Sequence, residues 1–566
     1  MQEFHKKAEE QFNYFSWDDR SRNYLENTKE LYSSLFYALD SNSSMEEYLP
    51  SALTLWGINK GKLLDNQLRF NRAMSSTKDK KTRKNIAEYE RLSFQTSQMV
   101  LNKSLDDEKD YLKLGQLNAN KIGLQILIQR ALLGEIKSLD KDVDFTCIIK
   151  QIPSDTVYLD FAKVKRFDKD KLEFKGYDYF SFLVKSSGDI RFFKLGDAEL
   201  IEKLIQRYQS EIETSVSLGR PPEGDVLKKI TKRLHECLIE PIEPSLAGFK
   251  RLIISPDGAL HQMPFEVLMD SEGKFLIEKY TTSYVASSRD LLRRASDQEQ
   301  SSDPVLIGNP NFDLGGEQRV AILNQLKVDP IQARGTLTRQ FRDMSFGSLP
   351  DTHQEIQQIA AALDKKDGAN LDVYENDLAI EEVLLGLKSP RILHLATHGF
   401  FLASESSEKD IFSYYSEETG KLDGDYLIQE NPMRRSGIVL AGANVSMAKG
   451  EDYGVVTAEK LCTLDLSGTE MVVLSACNTG AGDVQAGDGV FGLQRAFLTA
   501  GAKSLVMSSW SVPSQETTQI MSDFYRLIEK GLSKAEALQQ AKLKVLETHP
   551  NPFYWGAFIF VGPPES

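Results

Sequence analysis

Two apolar segments in the C-terminal third each end at a side chain that can do chemistry. The sequence RILHLATHGFF at 391–401 contains His398, and MVVLSACNTG at 471–480 contains Cys477. We expect both apolar runs to be buried strands, and parallel strands present their carboxyl ends at one edge of a sheet, where catalytic groups collect. The roughly 80 residues between the two side chains leave room for the crossover that parallel strands require. A cysteine beside a histidine is the arrangement of a nucleophile with its base.

A dyad of His398 and Cys477 would work through the thiolate. A free cysteine has a pKa of about 8.5, and a neighbouring imidazole together with a glycine-rich turn would raise the thiolate fraction. The histidine would then give the proton to the leaving amine as a general acid. The backbone N–H groups of Gly399 and Cys477 are candidate donors to the oxyanion. No third residue that orients the imidazole can be identified, and the alternative for Cys477 is a small buried hydrophobic side chain.

Three other side chains are expected to be structural. His261 also follows an apolar run, RLIIS, but no cysteine-bearing strand comes after it in that half of the chain. His394 lies inside the strand that leads to His398, and Cys462 lies in the apolar sequence LCTLDL. No cluster of cysteine, histidine and carboxylate has metal-ligand spacing, and no GxGxxG motif follows a strand at the start of a domain. We therefore expect no metal and no cofactor.

The surroundings of the candidate dyad are rich in carboxylates. The region 401–430 carries eight acidic residues against two lysines, and Asp483 and Asp488 lie in a glycine-rich loop just after the candidate nucleophile. Carboxylates at a cleft favour a basic group in the substrate and repel an acidic one, and Trp510, after another predicted strand, could form an apolar wall. The alternatives are that the acidic region is a solvated loop and that Asp488 caps a helix at 490–499.

Length and composition are those of a multi-domain globular protein. The 566 residues are too many for one core, and 41% hydrophobic and 27% charged residues are ordinary globular values. The net charge of −14 argues against a broad surface for nucleic acids. No apolar run reaches the ~18–20 residues of a membrane helix, and the N-terminus lacks the apolar core of a signal peptide. Four scattered cysteines without a CxxC pair predict a reducing compartment, the cytoplasm.

The chain divides into four predicted parts. Residues 1–80 are helical in pattern and resemble degenerate tetratricopeptide units, and residues 81–143 form a long charged helical hairpin, either a spacer or a partner-docking arm. Residues 144–295 and 304–566 each mix strands with helices, and a polar linker at 296–303 separates them. Strands alternating with helices predict a parallel-rich sheet covered on both faces. The fold class is therefore α/β, preceded by an α-helical domain.

Seven motifs, taken in chain order, carry a resemblance to a known family. They are SPDGALHQMPFE at 255–266, HLATHGFF at 394–401, NPMRRSGIVLAGAN at 431–444, LSACNTG at 474–480, GDGVFGLQRAFLTAGA at 487–502, SWSVP at 509–513 and YWGAF at 554–558. From about residue 150 to the end, the chain resembles the CHAT family of caspase-like cysteine peptidases, which is related to separases and caspases. The resemblance implies a dyad of His398 and Cys477 in an active lobe, packed beside an inactive upstream lobe.

The resemblance also implies a setting. CHAT domains commonly follow tetratricopeptide repeats, and several relatives cut a protein partner, once activated, in bacterial defence or cell-death systems. The Gln-Ala-Cys signature of caspases is absent, because Ser475 and Ala476 precede Cys477, so aspartate specificity is not expected.

The sequence therefore predicts a cytoplasmic cysteine endopeptidase that cleaves a protein partner. A protein activator is expected to dock on the helical N-terminus, with no membrane and no direct nucleic-acid binding. The alternative is a catalytically idle caspase-like scaffold that binds partners through its helices. The intact His398–Gly399 and Cys477 motifs favour the peptidase, since an idle relative would be expected to lose one of them.

Overall fold

The computed structural model describes most of the chain, with gaps. The described ranges are 32–41, 43–101, 108–138, 145–167, 173–222, 224–292, 301–330, 344–363, 370–401, 415–416, 421–422, 432–475, 483–485 and 489–563. Cys477 and Asp488 lie outside these ranges, as does most of the acidic region between 401 and 430.

Helices make up the N-terminal part of the chain and flank a sheet in the remainder. The helices are α1 (32–41), α2 (Leu49–Asn59), α3 (Lys62–Ser76), α4 (Lys80–Leu101), α5 (Glu108–Ala131), α6 (Leu133–Ser138), α7 (Phe145–Ile149), α8 (Ala198–Leu218), α9 (Val226–Leu238), α10 (Leu276–Lys279), α11 (Gly316–Leu326), α12 (Pro350–Leu363), α13 (Glu381–Gly386), α14 (Pro432–Arg435), α15 (Ala443–Lys449), α16 (Ala458–Leu461), α17 (Leu493–Thr499), α18 (Ser514–Glu529) and α19 (Lys534–Thr548).

The strands begin after α7 and alternate with the later helices. They are β1 (Thr156–Phe167), β2 (Phe174–Lys185), β3 (Ile190–Asp197), β4 (Arg251–Ser255), β5 (Thr281–Tyr284), β6 (Val305–Pro310), β7 (Asp372–Asn376), β8 (Ile392–Ala396), β9 (Gly399–Phe401), β10 (Tyr415–Ser416), β11 (Lys421–Leu422), β12 (Ser436–Val439), β13 (Val455–Thr457), β14 (Met471–Leu474), β15 (Asp483–Gln485), β16 (Gly489–Phe491), β17 (Leu505–Ser508) and β18 (Phe558–Val561).

Eleven of the described strands form one sheet, in the order β3-β2-β1-β4-β5-β18-β17-β14-β8-β6-β7. β1, β4, β5 and β18 form one parallel group. β17, β14, β8, β6 and β7 form another. The groups meet where β17 and β18 pair antiparallel, so they run in opposite directions within the same sheet. The predicted parallel-rich sheet flanked by helices, with a helical region before it, is confirmed.

The strands beside the candidate dyad are deeply buried. Every residue of β8, β14 and β17 is buried, which is the pattern of parallel strands covered by helices on both faces. One hydrophobic core runs through both halves of the sheet, from Phe161 and Tyr208 upstream to Phe497 and Trp555 downstream. Close packing on both faces therefore fixes the positions of β8 and β14, and with them the place where each strand ends.

The N-terminal helices cover one face of the upstream strands. Phe36 of α1 packs edge-on against Phe180, Phe182 and Phe192, in a second core that also contains Trp56 of α2. α4 and α5 pack against each other. Within the described ranges, no helix is both long and apolar enough to cross a membrane.

Candidate active site

His398 lies at the carboxyl end of β8, next to the strand that leads to the candidate nucleophile. β8 and β14 pair in parallel, with Leu395 level with Leu474. One residue further on, the N–H of Ser475 donates to the Leu395 carbonyl at 2.9 Å. The two predicted strand ends are therefore immediate neighbours. Cys477 itself lies outside the described residues.

The imidazole of His398 is in contact with a backbone carbonyl and two aromatic rings. Its Nε2 lies 2.8 Å from the carbonyl oxygen of Gly347. The ring centroids of Phe312 and Phe346 lie 5.3 and 5.5 Å from that of the imidazole. The main chain is fixed as well, because the His398 carbonyl accepts the N–H of Val439 at 3.0 Å. Both the position and the ring orientation of His398 are thus determined by its neighbours.

These contacts also determine the tautomer of His398. A carbonyl oxygen only accepts hydrogen bonds, so Nε2 carries the proton and donates it to Gly347. Nδ1 is then the basic nitrogen, and no residue in the described part of the chain bonds to it. Burial lowers the pKa of His398, and the hydrogen bond to the Gly347 carbonyl partly opposes that shift. A neutral imidazole whose Nδ1 is basic is suited to accept a proton from a thiol.

Gly347 is the orienting group that the sequence analysis did not identify. It lies 51 positions before His398, in an irregular segment whose residue types resemble those of any other loop. A carbonyl fixes the ring as the carboxylate of a triad would. Unlike a carboxylate, it carries no full charge that would strongly favour the imidazolium.

Gly399 and Asp483 have described backbones. Gly399 begins β9 and is level with Ile438 of β12, so its main chain directly follows that of His398. Asp483 begins β15, which pairs with β16 and lies against the 3-10 turn Gly258–Gln262 of the upstream half. β15 therefore lies against the upstream half of the chain.

Asp488 lies outside the described residues, but its predicted alternative role can be judged from the backbone that follows. The expected helix at 490–499 ends at Thr499 as predicted but begins three residues later, so Asp488 is not its N-cap residue. Val490 belongs to β16, and α17 begins only at Leu493, with Gly492 as its N-cap residue. The short strand β16, which pairs antiparallel with β15, occupies the positions of the first turn of the expected helix.

Trp510 lies in the core, just after β17. Only 4% of the residue is exposed. Its indole N–H donates to the Phe553 carbonyl at 3.0 Å, and its ring packs edge-on against Tyr208 with centroids 6.0 Å apart. Trp510 therefore supports the end of β17, and little of its ring is left for the apolar wall that the sequence suggested.

The side chains expected to be structural have surroundings typical of a core. Nδ1 of His394 lies 3.2 Å from the Tyr525 hydroxyl, and Nε2 lies 3.1 Å from Oε1 of Glu355 without hydrogen-bond geometry. Burial lowers the pKa of His261 to about 3, so this imidazole is neutral at pH 7. Burial raises the pKa of Cys462 to about 12, which makes its thiol a poor nucleophile. Among the described residues, no group of three or more histidine, cysteine and carboxylate side chains could hold a metal ion.

The comparison with protein families establishes what kind of chain this is. The model of the CHAT domain matches residues 228–563, more than half of the sequence, and the match includes His398 and Cys477. The chain belongs to the CHAT family. This match confirms the resemblance drawn from the motifs. The CHAT region begins within α9, so it includes β4 and β5 of the upstream half as well as the downstream strands.

The chain is similar in sequence to animal proteins and in structure to solved proteins. Tetratricopeptide repeat protein 28 of Homo sapiens is 24% identical over 358 residues, and its Mus musculus counterpart is 24% identical over 368 residues. Each match covers 61% of this chain but 13% of the relative, so the chain spans about an eighth of the length of these relatives. A Saccharomyces cerevisiae separase–securin complex matches 92% of this chain and 41% of that chain, at 10% identity and a TM-score of 0.36. The complex of Porphyromonas gingivalis RgpB pro- and mature domains matches 65% of this chain and 76% of that chain, at 9% identity and a TM-score of 0.32.

Proposed function

We propose that this CHAT protein is a cysteine endopeptidase with Cys477 as its nucleophile and His398 as its base. The observation that supports this most is the register of β8 and β14. Leu474 is level with Leu395, so the described parts of the two strands end side by side, and the motifs that contain Cys477 and His398 follow these ends in sequence. Adjacent strands lie about 4.8 Å apart, and this spacing supports a proton exchange between the two side chains.

The proposed reaction begins with proton transfer from the Cys477 thiol to Nδ1 of His398. The thiolate attacks the carbonyl carbon of the scissile peptide bond, and the N–H groups of Gly399 and Cys477 stabilise the resulting oxyanion. The imidazolium then protonates the leaving amine as the C–N bond breaks. Water, deprotonated by the same imidazole, cleaves the thioester and releases the carboxylic acid with a restored thiol.

The substrate we infer is a protein segment with a basic or uncharged residue before the cut. The carboxylates between 401 and 430, together with Asp483 and Asp488, motivate this preference. An activating protein partner would dock on the helical N-terminal region, and the matched human protein is named for tetratricopeptide repeats. The defence or cell-death setting rests on the family resemblance, and the cytoplasmic location rests on the cysteine pattern.

Cleavage of a proteome-derived peptide library, read by mass spectrometry of new N-termini, tests the dyad. The full chain should cut the library. Cys477→Ala and His398→Ala should each lose activity by about a thousandfold or more, because removing either member of such a unit costs nearly as much as removing both. Cys147→Ala, which removes an exposed thiol, is the matched control and should cut as the wild type does.

Circular dichroism of each variant separates lost chemistry from lost fold. Wild-type cleavage by a well-folded Cys477→Ala or His398→Ala chain would remove the dyad assignment. A wild-type chain that cuts nothing, and whose Cys477 is alkylated by iodoacetamide no faster than the exposed Cys147, would instead support the idle scaffold.

A further inference from the structure

A short irregular segment at 344–349 covers the imidazole of His398. It contributes the ring of Phe346 and the carbonyl of Gly347, and both contact His398. The apolar side chains of the segment pack on a small hydrophobic cluster that includes Phe312. The direction of the Gly347 carbonyl, and with it the tautomer of His398, depends on how this segment is held.

The side chain of Asn444 holds the 344–349 segment by bonding to both the N–H and the carbonyl of Phe346. Its Oδ1 accepts the N–H of Phe346 at 2.9 Å, and its Nδ2 donates to the Phe346 carbonyl at 3.0 Å. Nδ2 also donates to Oδ1 of Asp313 at 2.9 Å, which fixes the orientation of the amide. The side chain thus bonds to Phe346 as a neighbouring strand would, at the position directly before Gly347.

Asn444 is itself part of a fixed element. It is the second residue of α15, and its own N–H donates to the Phe312 carbonyl at 2.9 Å. The preceding N-cap residue, Gly442, has φ of 88°, and a Cβ there would lie 2.8 Å from the ring of Tyr453. The turn that begins α15 therefore has little room to shift. Asn444 connects the two segments that carry the aromatic neighbours of His398.

We propose that Asn444 is a positioning residue of the dyad, which holds the Gly347 carbonyl against Nε2 and so keeps Nδ1 of His398 as the base. This inference rests on the proposed function, because the tautomer has a catalytic consequence only if His398 is a base. Without the Asn444 amide, the 344–349 segment keeps its apolar contacts but loses the two bonds that direct the carbonyl. Nε2 then loses its hydrogen-bond acceptor, and the tautomer protonated at Nδ1 becomes populated. In that tautomer Nδ1 already carries a proton and cannot accept one from the thiol.

Two measurements on the full chain test this role. The first is ¹⁵N NMR of histidine-labelled protein, which reports the tautomer of His398 without any cysteine chemistry, with His398→Gln to assign the signal. The second is the rate at which iodoacetamide alkylates Cys477 at neutral pH, followed by mass spectrometry with the exposed Cys147 as internal reference. The wild type should be protonated at Nε2. Asn444→Ala should show mixed tautomers and alkylation slowed by about tenfold, since a misplaced base loses part of its effect.

Two further variants separate positioning from folding. Asn444→Asp has the same shape and still accepts the Phe346 N–H, but its second oxygen cannot donate to the Phe346 carbonyl and lies against the carboxylate of Asp313. We therefore expect a folded chain with an effect at least as large as that of Asn444→Ala in both measurements. Asn120→Ala removes the side chain of an exposed asparagine in α5, far in sequence from the site. As the matched control, it should equal the wild type in tautomer and rate.

Failure of the proposed function and failure of this inference give different patterns. If His398→Ala leaves the alkylation rate of Cys477 unchanged, the dyad is wrong, and the tautomer measurement alone decides whether Asn444 fixes His398. If His398→Ala is slow but folded Asn444→Ala and Asn444→Asp chains keep the wild-type tautomer and rate, Asn444 is only a structural residue and the inference is overturned.

Discussion

At the residue scale, the imidazole of His398 is surrounded by groups that favour its neutral form. Phe312 and Phe346 exclude water that would stabilise the imidazolium, and this burial is the larger influence on the pKa of His398. The hydrogen bond to Gly347 acts in the other direction. A histidine whose pKa lies below the ordinary value of about 6.5 stays neutral down to a lower pH. It can therefore act as a base over a wider pH range.

NMR titration of His398 in the Cys477→Ala variant should therefore show a midpoint below about 6.5. The cysteine is removed so that the imidazole titrates without a coupled partner. Phe346→Ala, added to this background, admits water and should raise the pKa of His398 toward its ordinary value, because burial is the larger cause of the shift. Phe174→Ala, which removes an exposed ring, should leave the midpoint unchanged. A midpoint at or above the ordinary value in Cys477→Ala would contradict the burial argument.

Substrate choice is also argued at the residue scale, from Asp483 and Asp488. Asp483 begins β15, six residues after the proposed nucleophile Cys477, and a carboxylate in a partly desolvated pocket there would pair with arginine or lysine. Library profiles of the wild type should show a basic or uncharged residue before the cut, and Asp483→Asn or Asp488→Asn should weaken the basic preference. Strong preference for aspartate before the cut, or identical profiles in all three chains, would remove the pocket role.

His398 and the strand that leads to Cys477 could be predicted, because an apolar run that stops at a reactive residue is a local pattern. Gly347 and Asn444 could not. Gly347 acts on His398 from 51 positions away, and Asn444 bonds to Phe346 from 98 positions away. The acting group of Gly347 is a backbone carbonyl, which every residue has, so its amino-acid type carries no sign of the role.

At the element scale, a buried ion pair joins the end of α2 to the sheet. Nζ of Lys60 lies 2.6 Å from Oδ1 of Asp160 in β1, and the two residues are 2% and 0% exposed. The ammonium also donates to two main-chain carbonyls, one of them at the end of β4, and Asp160 accepts from Trp56 and Tyr158. A buried pair is tolerated when its remaining donors and acceptors are satisfied in this way.

Lys60→Met should destabilise the chain by about 3–5 kcal/mol, because it leaves the Asp160 charge buried without its cation. Asp160→Asn added to that variant removes the charge and should recover part of the loss, whereas independent effects would add. Lys203→Ala, which breaks an exposed pair with Glu199, is the control and should be indistinguishable from the wild type. Urea unfolding gives the free energy of unfolding of the wild type and the three variants. A Lys60→Met chain as stable as the wild type would show that the contact contributes nothing.

Element types were easier to predict than element partners. The helical pair α4–α5 and the strands β1–β3 follow from local periodicity and from β-branched and aromatic residues. The join between β5 and β18, which makes one sheet of the two halves, follows from tertiary packing. No local sequence pattern distinguishes two strands that pair with each other from two edge strands of separate sheets.

At the scale of the whole molecule, the helical region is in contact with elements close to the candidate site. α3 packs on α17, where the Asn71 amide lies 3.5 Å from the Thr499 carbonyl. Lys121 of α5 pairs with Glu459 of α16 at 3.5 Å. α17 follows β16 directly and so comes soon after the segment that contains Cys477. These contacts link the helical region to elements near the candidate site, and they support the proposal that an activating partner acts through the helices.

The helical region has two parts that differ in how they are joined to the rest. α1–α3 contribute Phe36 and Lys60 to buried positions in the upstream half. The α4–α5 hairpin packs on α3 through Phe70, Ile86 and Ile128, and α3 and α6, which flank it, contact each other. The four-part division of the chain stays a prediction. Its first part is not a detachable arm, because removal would expose the phenylalanine cluster and the charge of Asp160.

Replacing residues 80–131 by a short glycine–serine linker should therefore leave a folded chain with wild-type alkylation of Cys477. Deleting residues 1–79 should instead give an aggregating chain, because it uncovers a large apolar surface. Size-exclusion chromatography, circular dichroism and the alkylation rate, measured side by side, distinguish the two deletions. A folded, fully reactive chain without residues 1–79 would contradict the assignment of Phe36 and Lys60 to the fold.

The same excised chain tests whether the hairpin receives an activating partner. We expect it to keep the basal chemistry, since the hairpin contributes no residue to the proposed dyad, but to lose the acceleration that the partner gives to the full chain. The measurement is the cleavage rate of the partner substrate, with and without the activator, for both chains. Cleavage by the excised chain at the full-chain rate, and with the same dependence on the activator, would show that partner sensing lies elsewhere in the molecule.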